Sequence, residues 1–138
     1  MLVYFDTSAF IKLVLEEEYS TDVRNYFDAL DLNDIPVSAD LLKTEALRAV
    51  IRLELERDTV LLALEKIQLI PVERRDFDIA GIIEPKNRNL RSLDALHLAV
   101  AKATDVDIFV TYDVRQVAAA TALGLTVVSP GKQTSSLI

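Results

Sequence analysis

Two acidic residues follow short apolar runs, at positions where a carboxylate can bind a ligand or act in catalysis. Asp6 comes directly after the run LVYF, and Asp113 ends the second apolar stretch, DIFVTYD. Hydroxyl side chains lie beside both acids: Thr7, Ser8 and Thr111. Ligands of parallel sheets bind beyond the carboxyl ends of the strands. Acids at the ends of two strands therefore indicate a polar site at the edge of a sheet.

Two further acids lie within helical patterns. Glu45 lies in the segment LLKTEALRAV, one position before Ala46 of the apolar stripe, and Asp94 lies in the first turn of LDALHLAVAKA, which Ser92 precedes. Taken alone, each of the four acids has an ordinary explanation as a turn residue, a helix cap or a solvated side chain. Their joint occurrence favours one shared site, because the fold expected from the sequence brings at least two of them to one crevice.

The elements that must position these acids alternate between strands and helices. Strand-like segments are LVYF, DIPVSA, LIPVE, DIFVTYD and LTVVS, and Pro36 places the second of them near an edge or at a strand start. Helical patterns lie between them, at residues 9–15, 20–30, 40–55, 59–68, 76–84, 92–103 and 115–123. This alternation predicts an α/β fold with a parallel sheet of four or five strands, flanked by helices on both faces.

Carboxylates that share one edge of a sheet repel one another. Two of them about 5 Å apart, at an effective dielectric near 20, repel by roughly 3 kcal/mol. Protons or cations must relieve this repulsion. The chain has no cysteine and one histidine, so the ligands are oxygens, which suit hard ions such as Mg²⁺ or Mn²⁺. One or two such ions can activate a water and stabilise the leaving oxygen of a phosphodiester. The chemistry predicted is metal-dependent cleavage of nucleic acid.

The bulk composition limits the class of protein. The 138 residues, 51% of them hydrophobic, fit a single domain over 1–138 whose Ser- and Thr-rich tail, 132–138, is expected to fray. The lack of cysteine, of a signal-like start and of a membrane-length apolar segment predicts a cytoplasmic protein. The net charge of −7 argues against a nucleic-acid partner unless metal ions neutralise part of it, and it suits a basic protein partner.

Four stretches carry a family resemblance: VYFDTSAFIKL, TEALRAV, LRSLDALHLAVA and FVTYDVRQVAAATALGLTVVSP. They cover nearly the whole chain in the right order and spacing. Together they resemble the PIN-domain family, and most closely its VapC-like toxins from toxin–antitoxin pairs. The resemblance implies a PIN-like α/β/α sandwich and an endoribonuclease that depends on magnesium or manganese.

The resemblance also implies roles for individual residues. The family's four-acid site, for catalysis and metal binding, falls on Asp6, Glu45, Asp94 and Asp113. Its small hydroxyl residues, which shape the site, match Ser8 and Thr111. The tightest ion is assigned to Asp6 and Asp94, with the other two acids nearby or acting through water.

Partners are implied by the same resemblance. They are an RNA substrate, a second copy in a homodimer, and a small antitoxin protein that inserts a segment near the acidic pocket. One departure bears on the metal: many relatives carry a further acid near the position where Arg115 and Gln116 stand. This departure leaves open whether a second ion is held firmly without substrate.

Basic residues and the single histidine lie close to Asp94 in the sequence. Lys86, Arg88 and Arg91 precede its helix, either as phosphate contacts beside the pocket or as an ordinary solvated loop. His97 follows one turn after Asp94 and has the chemistry of a general base. Its apolar neighbours favour instead a hydrogen-bonded packing role.

Two other classes of function stay open at this point. A strand that ends in an acid also begins phosphatase-like hydrolases of the haloacid dehalogenase kind, but those need a second aspartate where Ser8 stands. A non-catalytic binding module on the PIN fold has no reason to retain the repulsion among four acids. The favoured function is therefore a metal-dependent ribonuclease.

Overall fold

The computed structural model of the protein describes residues 1–83 and 89–132. Its strands are β1 (Leu2–Phe5), β2 (Ile35–Ala39), β3 (Gln68–Ile70), β4 (Ile108–Val110) and β5 (Val127–Val128). Its helices are α1 (Thr7–Val14), α2 (Ser20–Asp28), α3 (Leu41–Arg52), α4 (Arg57–Leu64), α5 (Arg74–Ala80), α6 (Ser92–Thr104) and α7 (Val114–Ala122). The strands form one parallel sheet in the order β3-β2-β1-β4-β5.

Helices cover both faces of this sheet. Val3 and Phe5 of β1 point to the face packed by α1 to α4, whereas Tyr4 and Phe109 point to the face packed by α6 and α7. Side chains alternate along a strand, so β1 contributes to two cores at once. Each buried phenylalanine stabilises the fold by roughly 1.5–3 kcal/mol. The prediction of a parallel sheet flanked on both faces is confirmed.

The central pair of strands, β1 and β4, sets up the functional edge. Phe5 lies opposite Val110, so the next residues, Asp6 and Thr111, leave the sheet side by side. The Asp6 N–H donates to the Val110 carbonyl at 3.1 Å, which extends the pairing to the acid itself. The two chain segments therefore diverge into helices from one common point.

Pro36 lies near the start of β2, an interior strand of the sheet. Ile35 donates its N–H to the Met1 carbonyl on the β1 side, so the Pro36 nitrogen points toward β3. Pairing with β3 begins only opposite Val37. Proline is therefore tolerated at this position because it removes no hydrogen bond of the ladder. Of the two predicted placements, the strand start is the one observed.

The helix predicted over 76–84 was wrong at its ends. Glu73 and Asp76 form a capping box that starts α5 at Arg74, and the helix ends at Ala80 before Gly81. Glycine has a low helix propensity, so it is a natural stop. The predicted stop at Pro85, and all of the predicted tail except Lys132, lie outside the described residues. Among the described residues, no helix is both long and apolar enough to span a bilayer.

Candidate active site

The carboxyl ends of β1 and β4 open into a cavity of about 440 Å³. All four acids singled out in the sequence line it: Asp6, Glu45, Asp94 and Asp113. Other polar residues around the cavity are Thr7, Ser8, Lys12, Glu17, Arg91, His97 and Tyr112. The fold thus gathers four carboxylates that come from widely separated segments of the chain.

Asp6 is the most deeply buried of the four acids, with 3% of its surface exposed. It is the N-cap of α1, because its Oδ1 accepts a hydrogen bond from the Ala9 N–H at 3.1 Å. The Ser8 hydroxyl donates to the same oxygen at 2.7 Å, and the Thr111 hydroxyl donates to Oδ2. Burial nevertheless raises the pKa of Asp6 above its ordinary value, although the hydrogen bonds from Thr111 and Ser8 oppose that rise. A nearby cation would favour the ionised form of this carboxyl.

The two predicted hydroxyl residues tie Asp6 to the end of β4. Ser8 accepts a hydrogen bond from the Tyr112 N–H at 2.9 Å, and Thr111 accepts one from the Asp113 N–H at 3.1 Å. Their own oxygens are 3.3 Å apart. Ser8 and Thr111 therefore fix the backbone at Tyr112 and Asp113, just after β4, as well as the Asp6 side chain.

Glu45 reaches the cavity from α3 and is held through one of its oxygens. Its Oε1 accepts from the Thr7 hydroxyl at 2.6 Å and lies 2.7 Å from Nε2 of His97. Burial alone would raise the pKa of Glu45, but the hydrogen bonds from His97 and Thr7 bring the pKa below its ordinary value. Glu45 is therefore an ionised, oriented carboxylate, and not the solvated helix acid that its position alone allowed.

Asp94 lies at the third position of α6 and is buried. Its Oδ2 accepts from the Arg91 backbone N–H at 3.3 Å and from the Arg91 Nε at 3.1 Å. The amide of buried Gln116 donates to the Asp94 carbonyl at 3.2 Å, which ties the start of α6 to α7. Asp94 thus combines the capping role expected of it alone with a place at the cavity.

Asp113 is the N-cap of α7 and pairs with Arg115. Its Oδ1 accepts from the Arg115 N–H at 2.9 Å, and the Arg115 guanidinium lies 3.3 Å from each carboxylate oxygen. Burial would raise the pKa of Asp113, but the hydrogen bonds from Arg115 bring the pKa below its ordinary value. Arg91 approaches the same carboxylate, with Nη2 3.9 Å from Oδ2.

Acids around the cavity are paired with arginine side chains and are not clustered tightly against one another. Within the described residues, no three acidic or histidine side chains are close enough together to hold a metal ion as they stand. Arg91 lies between Asp94 and Asp113, and Arg115 pairs with Asp113. These two cations relieve repulsion among the acids that protons or metal ions would otherwise have to relieve.

The donor set nevertheless fits a hard divalent cation. The four carboxylates around one cavity offer oxygen ligands, which Mg²⁺ and Mn²⁺ prefer. The position of the Arg91 guanidinium between Asp94 and Asp113 shows that positive charge is favoured there. Its side chain is 68% exposed and can turn away without unfolding any element.

The basic residues and the histidine named from the sequence differ in where the structure places them. Arg91 lines the cavity, whereas Lys86 and Arg88 lie outside the described residues. His97 is 1% exposed and hydrogen-bonded through both ring nitrogens, as its apolar neighbours indicated.

Sequence reasoning missed Lys12, whose Nζ lies 3.5 Å from Glu17 and 5.1 Å from the centre of the Tyr112 ring. The spacing of one helical turn from Ser8 was the available signal.

Comparisons with known proteins agree with this architecture. A model of the PIN domain matches residues 3–122. Ribonuclease VapC46 from Mycobacterium tuberculosis is 37% identical over 131 residues, which cover 93% of this chain and 97% of that relative.

Solved structures share the fold at much lower identity. The M. tuberculosis toxin VapC20, named as cleaving the sarcin–ricin loop, has a TM-score of 0.76 at 16% identity and covers 93% of this chain and 99% of its own. A toxin–antitoxin complex from Klebsiella pneumoniae has a TM-score of 0.70 at 16% identity, with coverage of 95% and 99%. The solved structures share the fold, and the PIN-domain match together with the 37% identity to VapC46 shows that the chain belongs to the PIN-domain family, in its VapC-like branch.

Proposed function

We propose that this protein is a metal-dependent endoribonuclease whose catalytic site consists of Asp6, Glu45, Asp94 and Asp113. The observation that carries the proposal is the arrangement of all four carboxylates around one cavity at the carboxyl ends of β1 and β4. The substrate class is supported by membership of the PIN-domain family and by a relative named a ribonuclease.

The chain's own residues divide the work of such a site. Asp6 and Asp94 would hold one or two Mg²⁺ or Mn²⁺ ions, with Glu45 and Asp113 as further carboxylates. When bound, such an ion lowers the pKa of an attacking water and stabilises the leaving oxygen of the phosphodiester. Arg91, once turned away from the acids, would bind a substrate phosphate at the cavity mouth. Local basic groups of this kind offset the unfavourable net charge of −7.

The direct test is cleavage of RNA by purified protein with defined metals. We expect cleavage with Mn²⁺ or Mg²⁺, no cleavage with excess chelator, and recovery when the ion is added back. Single-stranded DNA of the same sequence serves as the control for substrate class. Full cleavage in chelator would overturn the metal proposal. Absence of cleavage with either ion, on a panel of transfer, ribosomal and messenger RNAs, would favour the non-catalytic binding module.

We further propose that this ribonuclease is a toxin, forms a homodimer and is silenced by a small antitoxin. Support comes from the VapC-like branch of the family and from a structural neighbour solved as a toxin–antitoxin complex. A small protein encoded beside this reading frame should co-purify with the chain, stop RNA cleavage and relieve growth arrest on co-expression. Light scattering gives the number of copies. A neighbouring protein that neither binds nor inhibits would contradict the pairing.

A further inference from the structure

A buried chain of hydrogen bonds runs from the sheet to Glu45. The Tyr4 hydroxyl on β1 lies 2.6 Å from Nδ1 of His97 on α6, and Nε2 of His97 lies 2.7 Å from Oε1 of Glu45. Thr7 joins at the far end, with its hydroxyl 3.1 Å from Nε2 and 2.6 Å from the same carboxylate oxygen. Tyr4 and His97 are both inaccessible to solvent or nearly so.

The chemistry of these groups fixes which atom donates in the bond between His97 and Glu45. The ionised Glu45 carboxylate can only accept, so Nε2 of His97 must carry a hydrogen. Tyr4 is fully buried, and its hydroxyl lies within hydrogen-bond distance of Nδ1, the other ring nitrogen. Both ring nitrogens are therefore engaged by protein groups, and the ring is held in one orientation between Tyr4 and Glu45.

The same bonds decide how Glu45 faces the cavity. Oε1 accepts from both Thr7 and His97, whereas no hydrogen bond from any of the described residues reaches Oε2. The carboxylate is thereby held in one rotation, and Oε2 is the oxygen left available to the cavity.

We propose that Tyr4 and His97 form a relay that orients Glu45, and that His97 is a positioning residue rather than a general base. The proposal rests on the proposed ribonuclease site, because it assigns the relay to one of its four acids. Outer contacts of this kind hold a ligand in its working orientation, and their loss typically costs 10–100-fold in metal affinity or activity.

The first experiment is nitrogen NMR of the full, metal-free chain with labelled histidine. The chain has one histidine, so the spectrum needs no assignment. We expect one set of signals, from a ring with hydrogen on Nε2. In Tyr4→Phe, the Nδ1 signal should shift because its hydrogen bond is lost, while the Nε2 hydrogen is retained. A wild-type ring without hydrogen on Nε2, or an Nδ1 signal that is unchanged in Tyr4→Phe, would overturn the relay.

The second experiment measures Mn²⁺ affinity and RNA kinetics in paired variants. His97→Leu removes the donor to Glu45 and should weaken Mn²⁺ binding and kcat by about 10–100-fold, with KM for RNA nearly unchanged. His97→Gln places an amide N–H near the lost Nε2 and should recover most of both. Tyr4→Phe removes one hydroxyl and should lower kcat less than His97→Leu.

A stability control separates positioning from packing. Leu98→Ala, at the buried neighbour of His97 on α6, should lower the melting temperature and leave Mn²⁺ affinity unchanged. Equal loss of affinity in Leu98→Ala and His97→Leu, or no rescue by His97→Gln in a folded protein, would overturn the proposal. The Nε2 hydrogen and Mn²⁺ affinity are measured without RNA, so failure of the relay is distinguishable from failure of the ribonuclease proposal.

Discussion

Replacement of Asp94 by Asn is expected to reduce RNA cleavage by roughly 10³-fold or more while the protein stays folded. Changes in outer contacts of a metal site cost 10–100-fold, and Asp94 is proposed as a direct ligand, so its loss should cost more. The substitution keeps the volume of the side chain and one oxygen that can still cap α6 through the Arg91 N–H. A lost charge at a helix N-terminus costs only about 0.3–1 kcal/mol.

The chain contains a matched control for this substitution. Asp76 is also buried, also lies at the third position of a helix and also takes part in a capping box, but it does not line the cavity. Asp76→Asn should therefore show a similar change in melting temperature with cleavage unchanged. Initial rates on one RNA with saturating Mn²⁺ measure both variants. Full activity in Asp94→Asn, or equal losses in the two variants, would remove the catalytic assignment.

Asp6→Asn should raise the melting temperature of the metal-free protein and at the same time abolish cleavage. Burial raises the pKa of Asp6, so the ionised carboxylate costs folding free energy above that pKa, and the neutral amide does not. The amide oxygen can still accept from Ser8 and Ala9, and the Thr111 hydroxyl can rotate to accept from the amide nitrogen. Added Mn²⁺ should stabilise the variant less than the wild type.

The sign of the pH dependence gives a second readout for Asp6. The increase in melting temperature caused by Asp6→Asn should be largest at neutral pH. It should shrink as the pH falls through the raised pKa of Asp6. It should vanish below the unfolded-state value of about 3.9, where both side chains are neutral. Thermal melts at a series of pH values, with and without Mn²⁺, measure it. Asp107→Asn, whose carboxylate accepts from the Leu2 N–H at the opposite end of the sheet, is the control. An unchanged response to metal would count against Asp6 as a ligand.

The strand ends could be predicted from the sequence because they depend on local patterns. Asp6 and Asp113 each follow an apolar run, and parallel strands place their carboxyl ends at one edge. Glu45 and Asp94 are different, because helical periodicity gives their face but not the distance to a strand end. Their place in the site came from the family resemblance.

The partners of these acids could not be predicted, because they depend on distances between segments far apart in the sequence. The bond between Tyr4 and His97 needs the packing of α6 on β1, which no local pattern specifies. The contact of Arg91 with Asp113 needs the spacing of α6 and α7. Arg91 could be predicted beside the pocket from the sequence, but its contacts with Asp94 and Asp113, and the pairing of Arg115 with Asp113, could not.

The position of Arg91 between Asp94 and Asp113 has a consequence for how the proposed site would fill. Metal loading would be an exchange of cations, in which a divalent ion replaces a monovalent guanidinium and the cavity gains less charge than the ion brings. Occupancy of the site by metal would then rise more steeply with ion concentration when a polyanion is present to bind the displaced guanidinium. Nucleic acid and metal would thereby strengthen each other's binding through a single side chain.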